Sequence, residues 1–211
     1  MHAEMSGIQR VLNLSSNTEA QAAYDDWAEN YDNDMLGESE DYVAPEIASE
    51  YFKRFLGSRP IEHARILDAG CGTGLVGASL AKKGAKHIDG IDLSPGMLQV
   101  AERSGAYETL SVANLSQRLD IPDQTYDVVV CVGTMTQGHV GPEAFDEFAR
   151  IVKPGGFIIS TVRDNFWKMN GYEDKVKSLD KAEKLKLVSA ELEDYRRGAG
   201  VQAVMVVLQA Q

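Results

Sequence analysis

From residue 64 onward, short apolar runs alternate with segments whose apolar residues recur every three or four positions. The short runs predict strands and the longer recurrence predicts helices. Strands are expected at 65–68, 87–92, 108–113, 126–132 and 157–162, with helices at about 75–83, 95–103, 142–152 and 174–188. Ser94 is placed to cap the helix that Pro95 opens. The run 126–132 is almost continuously apolar, as a central parallel strand buried on both faces must be. Lys153-Pro154-Gly155-Gly156 reads as a turn before the fifth strand. The chain closes on 190–196, a turn at Gly198-Ala199-Gly200, and 201–209, which together read as an antiparallel hairpin.

The first third is patterned differently. Residues 1–17 are polar and aperiodic, a loose tail. Thr18 then caps a predicted helix over 19–30, with Tyr24, Trp27 and Tyr31 along one face. The acidic stretch 32–41, which contains Gly37, reads as a loop. Ala44-Pro45 opens a second helix that runs to Leu56 and ends at Gly57-Ser58-Arg59-Pro60. Strand-helix alternation implies an α/β, Rossmann-like three-layer sandwich. Its mostly parallel seven-stranded sheet ends in the C-terminal antiparallel hairpin. The expected organisation is a tail over 1–17 and one domain over 18–211, divided into a helical lid at 18–60 and a core at 64–211. No repeat or low-complexity segment interrupts it.

Composition narrows the partners. A chain of 211 residues suits one full-sized domain. The formal net charge of −11 repels phosphate backbones, so nucleic acid is not an expected partner. The most basic stretch, 175–186, also carries Asp180 and Glu183 and reads as a solvated helix face. The two cysteines, Cys71 and Cys131, form no disulfide framework, which points to a reducing compartment. Residues 1–14 lack a basic start followed by an apolar core, and no apolar run approaches the ~20 residues that span a bilayer. A cytoplasmic protein with no membrane partner and no metal is expected; oligomeric state is open.

The strongest chemical signal is Gly70-x-Gly72-x-Gly74, between the first strand and its helix. Glycines there permit a tight turn and close backbone approach to a ligand. Asp92 ends the next strand, where a carboxylate can accept both ribose hydroxyls of a nucleoside. Gly72-x-Gly74-x-x-Gly77 also matches the dinucleotide fingerprint, so the glycines alone leave an NAD-dependent oxidoreductase open. Three features separate the two readings: the helical segment before the first strand, Asp68 just ahead of the first glycine, and a terminal hairpin in place of a second substrate domain.

With those features in view, Leu67-Asp68-Ala69-Gly70-Cys71-Gly72-Thr73-Gly74 resembles motif I of class I S-adenosylmethionine-dependent methyltransferases. Asp92-Leu93-Ser94-Pro95-Gly96-Met97-Leu98 resembles their motif II, Tyr126-Asp127-Val128-Val129 their fourth-strand motif, and Lys153-Pro154-Gly155-Gly156 the turn before strand five. The resemblance covers roughly 20–165. Tyr24-Asp25-x-Trp27-Ala28-x-x-Tyr31-Asp32, with Gly138-His139-Val140, is further similar to the small methyltransferase-like family named for the Williams–Beuren region.

The resemblance implies a cofactor, S-adenosylmethionine, and a contact set. Asp68, Gly70, Cys71, Gly72, Gly74 and Leu75 would lie against its methionine part, and Asp92 would hold the ribose. Leu93 and Met97 would flank the adenine, Asn114 and Leu115 would meet its edge, and Val132 and Gly133 would lie beside the methyl donor. Asn114 stands where the family often has an aspartate; its amide oxygen can still accept a hydrogen bond. Tyr31 would face the methyl group if the first helix closes over the cofactor; the alternative is that Tyr24, Trp27 and Tyr31 only pack. His139 is the candidate general base, its alternative being an ordinary loop histidine. Cys71 counts for its backbone rather than as a nucleophile, and Phe166 and Trp167 either touch the acceptor or pack. The implied function is methyl transfer to a small molecule. Its rivals are a methyltransferase-fold protein that binds the cofactor as a regulatory module, or one that catalyses a non-methylating reaction.

Overall fold

The computed structural model describes residues 7–11, 16–135 and 140–211. The core begins at β1 (Arg65–Ala69), followed by α4 (Leu75–Lys82), β2 (His87–Asp92), α5 (Pro95–Glu102) and β3 (Thr109–Val112). The chain then crosses to β4 (Tyr126–Met135), α6 (Ala144–Ile151), β5 (Val152–Arg163), α7 (Asp164–Met169) and α8 (Tyr172–Lys181), and closes with β6 (Leu185–Arg196) and β7 (Val201–Ala210). Ahead of the core lie α1 (Gly7–Val11), α2 (Asn17–Leu36) and α3 (Ala44–Leu56).

The seven strands form one sheet in the order β3-β2-β1-β4-β5-β7-β6. Strands β1 to β5 pair in parallel, and β7 runs antiparallel between β5 and β6. The expected hairpin is therefore present. The chain winds outward from β1 through β2 to β3, then returns to β4 on the other side of β1. That reversal opens a crevice at the carboxyl ends of β1 and β4, where open α/β sheets hold their ligands.

Both sheet faces are covered, which explains the near-continuous apolar run in β4. Val128, Val130 and Val132 face a core shared with α3 and α4, while Val129, Cys131 and Met135 face one shared with α6 and α8. Among the described residues no helix is long and apolar enough to cross a membrane.

Five local expectations are corrected. The first long helix is capped by Ser16, whose hydroxyl accepts from Glu19 N at 3.2 Å, rather than by Thr18. It runs on to Leu36 through the stretch expected as a loop. Met35 is buried there, and Trp27 Nε1 donates to Asp34 Oδ2 at 2.7 Å. The helix expected over 174–188 stops at Lys181, because Glu183 takes a left-handed φ of 53° and Leu185 joins the sheet opposite Ala210. The expected turn 153–156 is an irregularity inside β5, where Gly155 has φ 74° and the pairing with β4 shifts register. The segment expected as a loose tail contains α1, packed against Trp27: a Cβ on Gly7 would collide with that indole.

Candidate functional site

The crevice is a cleft open to solvent. Its lining comes from the core strands: Gly70 and Gly72 after β1, Asp92 ending β2 with Leu93 after it, Asn114 and Leu115 after β3, and Val132 and Gly133 near the end of β4. Met97 of α5 and Tyr31 of α2 also line it. These expected cofactor contacts are thus brought together from elements far apart in sequence.

Asp92 organises this lining. Its Oδ2 accepts from Gly72 N at 2.9 Å and its Oδ1 from Ser94 N at 2.9 Å, so one carboxylate ties the glycine loop to the start of α5. Burial raises its pKa, and the backbone donors of Ser94, Gly72 and Leu93 work against that rise. Ser94 caps α5 as the sequence implied, accepting from Met97 N at 3.0 Å. The Oδ1 of Asn114 accepts from Ser116 N at 2.9 Å, which fixes the side chain at the cleft edge.

Asp68, Cys71, Gly74 and Leu75 lie behind this wall rather than in it. Asp68 is fully buried; its Oδ2 accepts from Tyr107 Oη at 2.7 Å, and its Oδ1 has no partner. Cys71 is tied through its backbone N–H to Ile91 O at 3.0 Å, and burial pushes its thiol well above the usual range. Gly74 caps α4 in a left-handed conformation at φ 94° and packs on Ala101 and Tyr107. Leu75, the first residue of α4, packs against the core shared with α3. The third glycine of the dinucleotide fingerprint, Gly77, has a packing cause. A Cβ there would collide with the Tyr107 ring, whose hydroxyl accepts from Gly77 N at 3.2 Å.

Sequence reasoning missed Asn17, Ala20, Tyr24, Ala113, Thr134 and Val140, all of which line the cleft. Trp27 is buried and packs between Tyr24 (6.2 Å) and Tyr31 (4.7 Å), while those two tyrosines line the cleft. Trp167 is buried in the core beside α8, and Phe166 packs against that core. His139 and Gly138 lie outside the described residues.

The repeat of Tyr-Asp at a seven-residue spacing was the available signal for α2. Seven residues are nearly two helical turns, so both pairs present the same faces. While the tyrosines line the cleft, Asp25 Oδ1 accepts from Ser94 Oγ (2.5 Å) and Gly96 N (2.8 Å), and Asp32 Oδ1 accepts from Thr73 Oγ1 (2.5 Å). Between them Glu29 pairs with Arg103. A carboxylate at the start of α5 also suits the positive end of that helix. Asp25→Ala removes two charge-assisted hydrogen bonds, each worth about 1.5–3 kcal/mol. Limited proteolysis within α2 is therefore expected to accelerate at least tenfold; unchanged cleavage would contradict the role of Asp25 in holding α2 to α5.

Asp68 carries a pH signature. Burial pushes its carboxyl from 3.8 up to about 7, helped by nearby Asp92 and opposed by the Tyr107 hydroxyl. A pKa raised on folding means that stability is complete below about pH 4 and is lost as pH rises through about 7, by on the order of 4 kcal/mol. The expected result is that Asp68→Asn unfolds at a higher temperature than the parent at pH 8, with the difference vanishing near pH 4. Parallel melting curves across that range would show that Asp68 is not charged at a cost.

The cleft wall has a chemical character. Among the described lining residues the one charged side chain is Asp92, and there is no lysine or arginine. With the unpartnered Asp68 Oδ1 behind it, the wall fits a cationic ligand and gives a pyrophosphate no counter-charge.

Comparison with known proteins gives the same direction. A family described as "Methyltransferase domain" matches residues 66–156. Methyltransferase-like protein 27 of Homo sapiens is 38% identical over 161 residues, covering 76% of this chain and 64% of that protein. The ubiquinone biosynthesis O-methyltransferase of Alkalilimnicola ehrlichii is 36% identical over 124 residues, 55% of this chain and 48% of the relative. The chain thus spans less than two thirds of the length of these curated relatives. Among solved structures, magnesium protoporphyrin IX methyltransferase from Synechocystis with bound S-adenosylmethionine superposes with a TM-score of 0.69 at 15% identity, over 94% of this chain and 99% of that one. The family match over residues 66–156, the relatives' sequences and the sheet order together support a class I S-adenosylmethionine-dependent methyltransferase.

Proposed function

We propose that the cleft binds S-adenosylmethionine and that the protein transfers its methyl group to a small-molecule acceptor. The observation that carries this reading is the Asp92 carboxylate, tied to Gly72 N at 2.9 Å in a cleft with no basic residue among its described lining. Asp92 would hold the ribose hydroxyls, Leu93 and Met97 the adenine, Asn114 and Leu115 its edge, and Gly70 and Gly72 the methionine backbone. Asp68 would support the cationic end from behind the loop. When bound, the cofactor supplies an activated sulfonium methyl, so little chemistry is asked of the protein.

What remains for this chain is to position the acceptor and exclude water. Tyr24 and Tyr31, carried on α2 as a lid, would shield the reacting end. Val132 and Gly133 would border the methyl group, and His139 would take a proton from an acceptor that arrives protonated. A small acceptor fits the acidic net charge, which opposes nucleic acid, and the names of relatives such as the ubiquinone biosynthesis enzyme. Two free, buried cysteines support a reducing, cytoplasmic setting.

The test is incubation of the whole chain with S-adenosylmethionine and a metabolite extract, read by mass spectrometry. S-adenosylhomocysteine should accumulate together with a product heavier by one methylene, and His139→Ala should slow it. Cofactor binding with no turnover across a broad panel would instead favour the regulatory or non-methylating alternative.

A further inference from the structure

Gly133 lines the cleft, and behind it lie groups that the proposed cofactor contacts do not use. Gly133 has φ 82°, and a Cβ on it would sit 2.6 Å from Tyr42 Oη and 3.2 Å from Tyr195 Oη. The two buried tyrosines meet edge to face at 5.1 Å. Gly133 N donates to Thr161 Oγ1 at 2.9 Å, and two residues further along β5, on the same side of the strand, stands Arg163. Arg163 is opposite Ala203 of β7, which is in turn opposite Glu193 of β6, so it lies at the end of the sheet that carries Tyr195.

Two cations reach Tyr195, Arg196 and Arg163, and both hold its hydroxyl down against the effect of burial. They differ in their partners. Arg196 is neutralised by Glu40 at 2.8 Å. Arg163 forms no ion pair among the described residues; its Nε is buried without a hydrogen-bond partner, and its guanidinium rests at 5.5 Å from the Phe166 ring. A buried guanidinium N–H left unsatisfied in a protein with eleven excess negative charges is costly, and a ligand that satisfies it recovers that cost.

We propose that Arg163, with Tyr195 and Tyr42, forms an acceptor subsite that anchors the carboxylate of a small organic acid beside Gly133. The planar guanidinium fork matches a carboxylate in two parallel hydrogen bonds, and the neighbouring hydroxyls add donors that a neutral amide or ester does not exploit equally. This inference deepens the methyltransferase reading and rests on it.

The probe is a panel of small carboxylic acids, each paired with its primary amide, added to the whole chain saturated with S-adenosylhomocysteine. Binding is read by thermal shift and then calorimetry. Acids are expected to bind about tenfold or more tightly than their amides, and Arg163→Gln should erase that ratio. Tyr195→Phe should reduce it in part. Cofactor affinity, measured first on each variant, should be unchanged, which also shows that the variants fold. Binding with no preference for acids, no binding by any acid at millimolar concentration, or a preference that survives Arg163→Gln overturns the subsite. Failure of the parent chain to bind S-adenosylhomocysteine would overturn the methyltransferase reading instead.

Discussion

Replacing Asp92 with asparagine is expected to weaken S-adenosylmethionine binding by a factor of about 100 or more. Asparagine keeps the size of the side chain but presents one acceptor oxygen. In the parent the two carboxylate oxygens already serve Gly72 N and Ser94 N, and an ionised carboxylate keeps lone-pair capacity for a ligand that a single amide oxygen lacks. The variant loses its charge, and with it the stronger form of each of those bonds, at about 1.5–3 kcal/mol apiece. Two such losses on the ligand side exceed a hundredfold in Kd. The backbone donors keep one good partner, so the chain should still fold, which circular dichroism would confirm. Calorimetry reads the affinity, and a Kd within threefold of the parent would remove Asp92 from the site.

Gly70→Ala is expected to produce the largest loss of stability among single-methyl changes in the glycine loop. Two independent penalties meet there. The residue adopts φ 77°, a left-handed conformation that costs an L-residue about 1–2 kcal/mol. The added Cβ would also overlap Thr134 Oγ1, with Thr134 Cγ2 at 2.8 Å and Thr134 Cβ at 2.9 Å. Thr134 cannot simply swing aside, because its hydroxyl bonds to the Gly70 carbonyl at 3.3 Å. Overpacking of this kind costs about 1–3 kcal/mol, giving roughly 2–5 kcal/mol in urea unfolding. Gly72→Ala is the control. Its φ of 54° carries the conformational penalty, but nothing lies within 4 Å of the new Cβ. It should therefore unfold with less than half the loss of Gly70→Ala while still obstructing ligand approach. Equal losses for the two would mean that the Thr134 contact has no weight.

The parts of the fold that local chemistry dictates were legible in the sequence. Helix α3 begins at Ala44-Pro45 and ends at Gly57, and α5 begins at its Ser94 cap, because proline, serine and glycine act within one turn. The errors fall where tertiary packing decides. Residues 32–36 are polar enough to read as a loop, yet Met35 and the Trp27–Asp34 hydrogen bond extend α2 across them. Residues 185–188 continue a helical pattern, yet pairing with β7 draws them into the sheet.

The cleft shows the same division. Gly70, Gly72, Asp92 and Met97 could be assigned because each lies in a short motif. Thr134 and Val140 could not, because only the return of β4 to the side of β1 brings them to the cleft. Gly77 shows the opposite failure. It completes a motif on paper, but its cause is the Tyr107 ring, which arrives from thirty residues away. The unsatisfied Nε of Arg163 left no trace in the sequence at all, since a missing partner is visible only once the neighbours are in place.

The most direct test of the central claim is a crystal structure of the whole chain grown with S-adenosylhomocysteine. The expected result is the ribose hydroxyls within hydrogen-bond distance of Asp92, the adenine against Leu93 and Met97, and the sulfur facing Gly133 beneath Tyr31. A cofactor bound outside the cleft, or density for a ribose that makes no contact with Asp92, would contradict it.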